Sequence, residues 1–262
     1  LIFRHPKDIY NEYDSQPEIE KQNSFLMRVW SFDKIGQSEG NTFEGRLKIA
    51  THESNVLGAI QNSSNSQLYN SCLHLRSNPQ KDHITSTYSE IYELKPKHKR
   101  LNEFIDSFVV TYSEVDKLNL IKLLISKCKE FHEINISHND LGDHSIWISP
   151  GKDISFSSFI CSTSNKHPSL SNIHSILSVN EKSSITAIRP EEKLNSYQYD
   201  VRMLAIICWH IYSSKRITID TLNKISDDLI NSNHWIAPLF LDAIKYDKYK
   251  NTNEFFEQLK TL

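Results

Sequence analysis

The chain has 262 residues and a formal net charge of −2; 38% of the residues are hydrophobic and 24% are charged. This length suffices for one large domain or two smaller lobes, and the apolar content excludes a chain that is disordered throughout. The near-neutral charge argues against nucleic-acid binding by this domain. No apolar segment approaches the ~20 residues of a membrane span, and no signal peptide opens the sequence. We therefore expect a cytoplasmic protein without membrane contact.

The cysteines and the first residue add two expectations. Four cysteines are far apart and form no C-x-x-C pair, which argues against a zinc site and a disulfide framework. The sequence begins with Leu rather than Met, so we expect a piece of a longer protein.

Strand-like patterns and one helix dominate the first third of the chain. Residues 1–24 are polar and contain two prolines, which predicts a lead-in or linker. The β-branched and aromatic composition of 24–32 predicts a strand, and the apolar spacing of 42–60 predicts a helix. Two further strands are predicted at 72–75 and 87–94.

Helices dominate after Pro96. The sequence predicts helices at 101–105, 118–132, 201–212, 219–230, 236–245 and 253–262, with a hairpin of 146–148 and 154–156 around Pro150-Gly151. This order predicts an α+β protein of two lobes: a small β-rich N-terminal lobe at 25–94 and a larger helical C-terminal lobe at 95–262.

The most informative segment, 137–148, places an Asp in a tight polar turn between a helix and a short strand. It reads Ser-His-Asn-Asp-Leu-Gly-Asp-His-Ser-Ile-Trp-Ile. The catalytic loop of protein kinases has this layout, His-Arg-Asp-x-x-x-x-Asn, with the Asp as base and the Asn as magnesium ligand. Asp140 is then the candidate base, and Ser145 stands at the Asn position. An ordinary turn with an Asx-type hydrogen bond explains the same residues.

The second magnesium position of that layout is also changed. Where Asp-Phe-Gly should follow the hairpin, the chain has Ser158-Phe159-Ile160. A hydroxyl brings no charge to offset Mg²⁺, so the usual metal site is degenerate at Ser145 and Ser158. Asp143 and His144 are possible substitute ligands, although solvated turn residues would look the same.

Further matches occur in order along the chain. Pro190-Glu191 resembles the end of a kinase activation segment, and Asp200 opens a helix as in the large central kinase helix, where it could equally serve as an N-cap. In the N-terminal part, Lys34 is the candidate phosphate-binding lysine, and Glu53 is its candidate ion-pair partner. Glu93 lies in a hinge-like segment and is a candidate nucleotide contact. None of the six glycines precedes Gly36, so a glycine-rich phosphate loop is missing before the strand.

From Phe25 to the end, the chain resembles a divergent eukaryotic-type protein kinase domain. It also resembles the bacterial kinase-like domains that follow a nuclease-related NERD domain, including those of BREX and phage-growth-limitation defence systems. The residues that carry this resemblance are 26–32, 140–147 and Ser158-Phe159. Asn139 departs from the Arg of the kinase pattern, which puts docking to a phosphorylated activation segment in doubt. The resemblance implies a defence or signalling role in a multidomain bacterial protein.

Three functions remain open at this stage. The degenerate metal positions favour a pseudokinase that binds ATP and magnesium weakly or not at all and acts on a protein partner or on attached domains of a longer chain. The retained Asp140 leaves an active Ser/Thr kinase with unorthodox ligands as the alternative. A small-molecule phosphotransferase also uses a His-x-Asp loop, but the hinge-like segment and the Asp200 helix argue against it.

Overall fold

The computed structural model describes residues 24–31, 43–75, 80–82, 87–168 and 195–261. Three predictions fall outside these ranges: the lead-in before residue 24, Lys34, and the Pro190-Glu191 match. Within the described ranges, no helix combines the length and the apolar character that crossing a membrane requires.

An antiparallel sheet forms the first part of the fold. Its longest pair joins β1 (Ser24–Ser31) to β4 (Thr87–Leu94), with Ser24 opposite Leu94 and Ser31 opposite Thr87. The short strands β2 (His74–Leu75) and β3 (Gln80–Asp82) both pair with β4. Helix α1 (Phe43–Gln61) connects β1 to a 3₁₀ turn at Ser66–Ser71, and its buried residues include Val56, Leu57 and Ile60.

Two smaller strand groups follow. One contains β5 (Lys99–Arg100), β7 (Ile146–Ile148) and β8 (Ile154–Phe156) in the order β5-β7-β8, all antiparallel. The other pairs β6 (Ile136–Ser137) with β9 (Thr163–Ser164). The β7–β8 hairpin is confirmed at its predicted residues.

Helices build the rest of the described chain. In chain order they are α2 (Leu101–Ser107), α3 (Glu114–Glu133), α4 (Ser196–Ser213), α5 (Ile219–Asn223), α6 (Ile225–Ile230), α7 (Ala237–Lys245) and α8 (Thr252–Thr261). The large hydrophobic core lies among these helices and the inner faces of α1 and the hairpin. A separate cluster of five residues lies between the sheet and the hairpin. The predicted α+β class is confirmed.

Several helix boundaries differ from the prediction because capping side chains extend the helices. Helix α3 starts four residues earlier than predicted, since the Ser113 hydroxyl accepts a hydrogen bond from the Asp116 amide. Helix α4 starts at Ser196 with a capping box of Asn195 and Gln198. The N-cap reading of Asp200 is therefore wrong, because Asp200 lies inside α4. The predicted helix 219–230 is divided at Lys224 into α5 and α6.

Candidate functional site

The loop between β6 and β7 is buried over residues 138–145 although it is rich in polar side chains. Buried polar groups must be hydrogen-bonded to avoid a large desolvation penalty. The partners of this loop therefore reveal how its shape is fixed.

Asp200 anchors the loop from helix α4. Its two carboxylate oxygens accept hydrogen bonds from the backbone amides of His138 and Asn139, each at 2.7 Å. Asp200 is itself buried, so these charge-assisted bonds are formed away from water. The carboxylate thus fixes the backbone at the residues that precede Asp140.

A histidine of helix α3 supports this carboxylate from the other side. His132 Nε2 lies 3.0 Å from Asp200 Oδ2, and His132 Nδ1 lies 2.9 Å from the Thr252 hydroxyl at the start of α8. The Tyr197 ring lies against the imidazole with 4.5 Å between ring centroids. These contacts link the C-terminal helix to the loop through Asp200. The sequence analysis did not identify His132 or Thr252.

His138 packs within the loop rather than facing solvent. Its Nε2–H donates to the Ser157 carbonyl at 2.9 Å, and its Nδ1 accepts from the Asp140 amide at 3.3 Å. Its ring centroid lies 4.8 Å from that of Phe159. Burial lowers the pKa of His138, which opposes protonation and agrees with one nitrogen donating while the other accepts.

Asn139 follows His138 in the loop and has a left-handed backbone, with φ of 59°. Its side-chain amide donates to the Ser137 hydroxyl at 3.1 Å and to the Cys161 carbonyl at 3.2 Å. Asn is among the residues that tolerate this conformation best. The hydrogen bond to Cys161 thus connects the loop to the segment after the hairpin without using a charged group.

The candidate base, Asp140, is buried with no measurable exposure. Its Oδ2 lies 3.1 Å from Nε2 of His144, which is also buried. An ionised carboxylate only accepts hydrogen bonds, so His144 is the donor in this pair. One oxygen of the carboxylate that the sequence predicts as the base is therefore engaged with a side chain of the same loop.

Ser145 closes the loop on itself. Its hydroxyl accepts from the Gly142 amide at 3.0 Å and donates to the Asp140 carbonyl at 3.1 Å. Of the two predicted substitute ligands, His144 contacts Asp140, and Asp143 accepts a hydrogen bond from the Asn102 side chain at 3.2 Å. Ser145 and Asp143 are both buried.

Ser158 and Glu53 meet at the end of the hairpin. Ser158 is buried and left-handed, with φ of 64° and ψ of 49°, which is a sparsely populated conformation for serine. The next amide, of Phe159, donates to Glu53 Oε1 at 3.0 Å, and the Tyr92 hydroxyl donates to Glu53 Oε2 at 2.7 Å. The structure therefore brings Glu53 of α1 to the Ser158-Phe159 segment. Glu93 follows Tyr92 in β4, where it lies opposite Phe25 of β1 and His74 of β2 in the strand pairing.

Trp147 of strand β7 packs on the side of the hairpin that faces the first sheet. It is 1% exposed and forms the separate cluster with Leu26, Leu73, Tyr92 and Leu94. Its indole Nε1–H donates to the Ser157 hydroxyl at 3.0 Å, and the Arg100 guanidinium lies 5.2 Å from the ring centroid. Trp147 belongs to the loop motif of the sequence, but no local pattern predicted this placement.

The polar side chains of this region are engaged with one another and with the backbone. Among the residues that the structure describes, no group of three or more His, Cys, Asp or Glu side chains is arranged to hold a metal ion. Asp140, His144, Glu53 and Asp200 converge on one region, but each has a hydrogen-bond partner within the chain. The site is therefore a buried polar network that fixes a loop.

The comparisons with known proteins do not assign a family to the chain. No protein-family model matches the chain, and no curated protein sequence matches it.

Proposed function

We propose that this chain is a divergent protein-kinase-like domain that does not transfer phosphate and acts as a binding or regulatory module. The order of its elements supports the two-lobed arrangement: strand, helix and sheet first, then helices around a buried loop and a hairpin. The Asp200 carboxylate supports it further, since it bonds two amides of the loop from a central helix. A degenerate kinase domain would retain this framework after losing its chemistry.

The burial of Asp140 is the observation that carries the proposal. A general base must come within hydrogen-bond reach of the proton that it removes. Asp140 has no measurable exposure and contacts His144, so a substrate hydroxyl would have to displace that contact. Phosphoryl transfer also relies on metal ions to offset the charge on the transferred group. Ser145 and Ser158 bring no charge to those two positions.

The alternative of an active Ser/Thr kinase requires other metal ligands. The candidates were Asp143 and His144, and each already has a partner: Asn102 for Asp143 and Asp140 for His144. Recruiting either one would break a buried hydrogen bond, which makes this alternative less favourable. ATP with magnesium, where it binds, is expected to bind weakly.

The proposed module would act through contacts with a protein partner or with attached domains of a longer chain. The near-neutral charge of the chain argues for protein rather than nucleic acid as the partner. A role in a bacterial defence or signalling protein follows from the resemblance and is part of the proposal.

A phosphotransfer assay tests the proposal. The purified chain is incubated with γ-³²P-ATP, Mg²⁺ or Mn²⁺, and a general protein acceptor, with the Asp140→Asn variant as the matched control. We expect the same background incorporation, into the acceptor and into the chain itself, for both proteins. Incorporation by the wild type that disappears in Asp140→Asn would show an active kinase and overturn the proposal.

A further inference from the structure

The placement of Trp147 differs from that of its neighbours on β7. Ile146 and Ile148 belong to the large helical core, whereas Trp147 belongs to the small cluster on the opposite side. This alternation follows from strand geometry, because successive side chains point to opposite faces. Of the five residues in the small cluster, Trp147 alone comes from the hairpin.

The other cluster members belong to the sheet and to the segment that leads into it. Leu26 lies on β1, Tyr92 and Leu94 lie on β4, and Leu73 directly precedes β2. Leu73 also connects the two parts, since its amide donates to the Phe156 carbonyl at 2.8 Å. The indole thus lies where the sheet and the hairpin face each other.

The contacts of the indole are those that a protein offers to a bound aromatic ring. Apolar side chains surround it, a hydroxyl accepts its single N–H, and a guanidinium lies over its face. Ligand sites for planar rings combine an apolar lining with a few placed polar groups, and an arginine over a ring face adds a cation–π attraction. The cluster therefore resembles a ring-binding site whose ring is part of the chain.

We propose that the space between the sheet and the hairpin is a binding site for a planar bicyclic aromatic ring, and that the Trp147 side chain fills it. Removing the indole should create a site for free indole or for a purine base of similar size. This inference rests on the proposed function in one respect: it places the filled site in the cleft where a kinase-like domain would hold its nucleotide.

Trp209 provides a matched control for the deletion. It is also almost completely buried, but it lies on α4 within the large core. Its Nε1 has no hydrogen-bond partner in the described part of the chain, unlike that of Trp147. Trp147→Ala and Trp209→Ala therefore remove the same side chain from two different environments.

The experiment measures thermal unfolding midpoints and calorimetric binding with indole and with adenine as probes. Both variants should unfold at lower temperature than the wild type. Indole should raise the midpoint of Trp147→Ala, and adenine should bind this variant at least about tenfold more tightly than the wild type or Trp209→Ala. If Trp147→Ala does not fold, Trp147→Leu is tested in the same way.

Two results would overturn the inference. One is that neither probe binds the folded Trp147 variant more tightly than it binds Trp209→Ala. The other is that the wild type binds adenine as tightly as the variant does, since the indole would then not fill the site. A wild-type chain that transfers phosphate, together with a Trp147 variant that gains no ring binding, would refute both proposals. Gained ring binding without phosphotransfer would support both.

Discussion

The buried loop at 138–145 and the cluster around Trp147 are neighbours, but different kinds of interaction stabilise them. The loop depends on polar contacts: a carboxylate on two amides, a His–Asp pair, and hydroxyls on the backbone. The cluster depends on apolar burial, with one indole hydrogen bond at its edge. Directional hydrogen bonds therefore fix the backbone of the loop, whereas apolar packing holds the five residues of the cluster together.

The largest expected effect comes from Asp200→Asn, which breaks the anchor of the loop. An amide side chain accepts from one of the two backbone amides and presents its own NH₂ to the other. We expect a loss of about 3 kcal/mol in the free energy of unfolding, measured by urea denaturation, because buried hydrogen bonds to a charged group are lost.

The control for this change is Asp242→Asn, since the partly exposed Asp242 pairs with Lys248 at 2.6 Å. Exposed ion pairs contribute roughly 0–1 kcal/mol, so this variant should be nearly as stable as the wild type. Equal losses in the two variants would show that Asp200 is not an anchor.

The polar contact between the cluster and Glu53 is tested by Tyr92→Phe, which keeps the buried ring and removes the hydroxyl that donates to Glu53. The Phe159 amide still donates to this buried carboxylate. We expect a loss of about 2 kcal/mol in the free energy of unfolding. Tyr246→Phe is the control because Tyr246 is 59% exposed, and it should change stability little. No loss in Tyr92→Phe would remove Glu53 from the network.

A smaller effect is expected from Thr252→Val, which removes the hydroxyl next to His132 Nδ1 but preserves the side-chain shape. The loss should be about 1 kcal/mol, the usual contribution of a neutral hydrogen bond. Thr261→Val removes an exposed hydroxyl that donates to the Gln258 carbonyl, and should have less effect. If the two variants are equally stable, the hydrogen bond between Thr252 and His132 does not contribute to the free energy of unfolding.

The pH dependence of stability should also separate the two regions. Burial lowers the pKa of His138 in the folded chain, so the unfolded chain binds more protons as the pH falls below the ordinary value of 6.5. Stability from this group is therefore present above that pH and is lost towards acid. His138→Gln should show a shallower decline between pH 7 and pH 5 in urea titrations. A steeper decline would contradict the neutral, buried histidine.

Local signals in the sequence predicted much of the fold. The hairpin and helices α3 and α4 follow from apolar periodicity, and their centres are where the pattern placed them. The start of α4 was missed because Asp200 imitates an N-cap, although Asn195 and Gln198 form a recognisable capping box.

The site could be predicted only in part, because its contacts join distant segments. The spacing of the loop motif indicated Asp140, Ser145 and Ser158, and the structure gathers them near Glu53. The hydrogen bonds between Asp200 and the loop and the burial of Trp147 depend on tertiary packing that no local pattern encodes. His132 had a weak signal, six residues before His138 at the end of a helix. The roles of Lys34 and Glu93 remain predictions.

We propose that the loop keeps a kinase-like framework but lacks a working metal and base site. The most direct measurement is calorimetric titration of the wild-type chain with ATP, with and without Mg²⁺. We expect weak or undetectable ATP binding that Mg²⁺ does not strengthen. Tight binding that requires Mg²⁺ in the wild type and is lost in Asp140→Asn would contradict it.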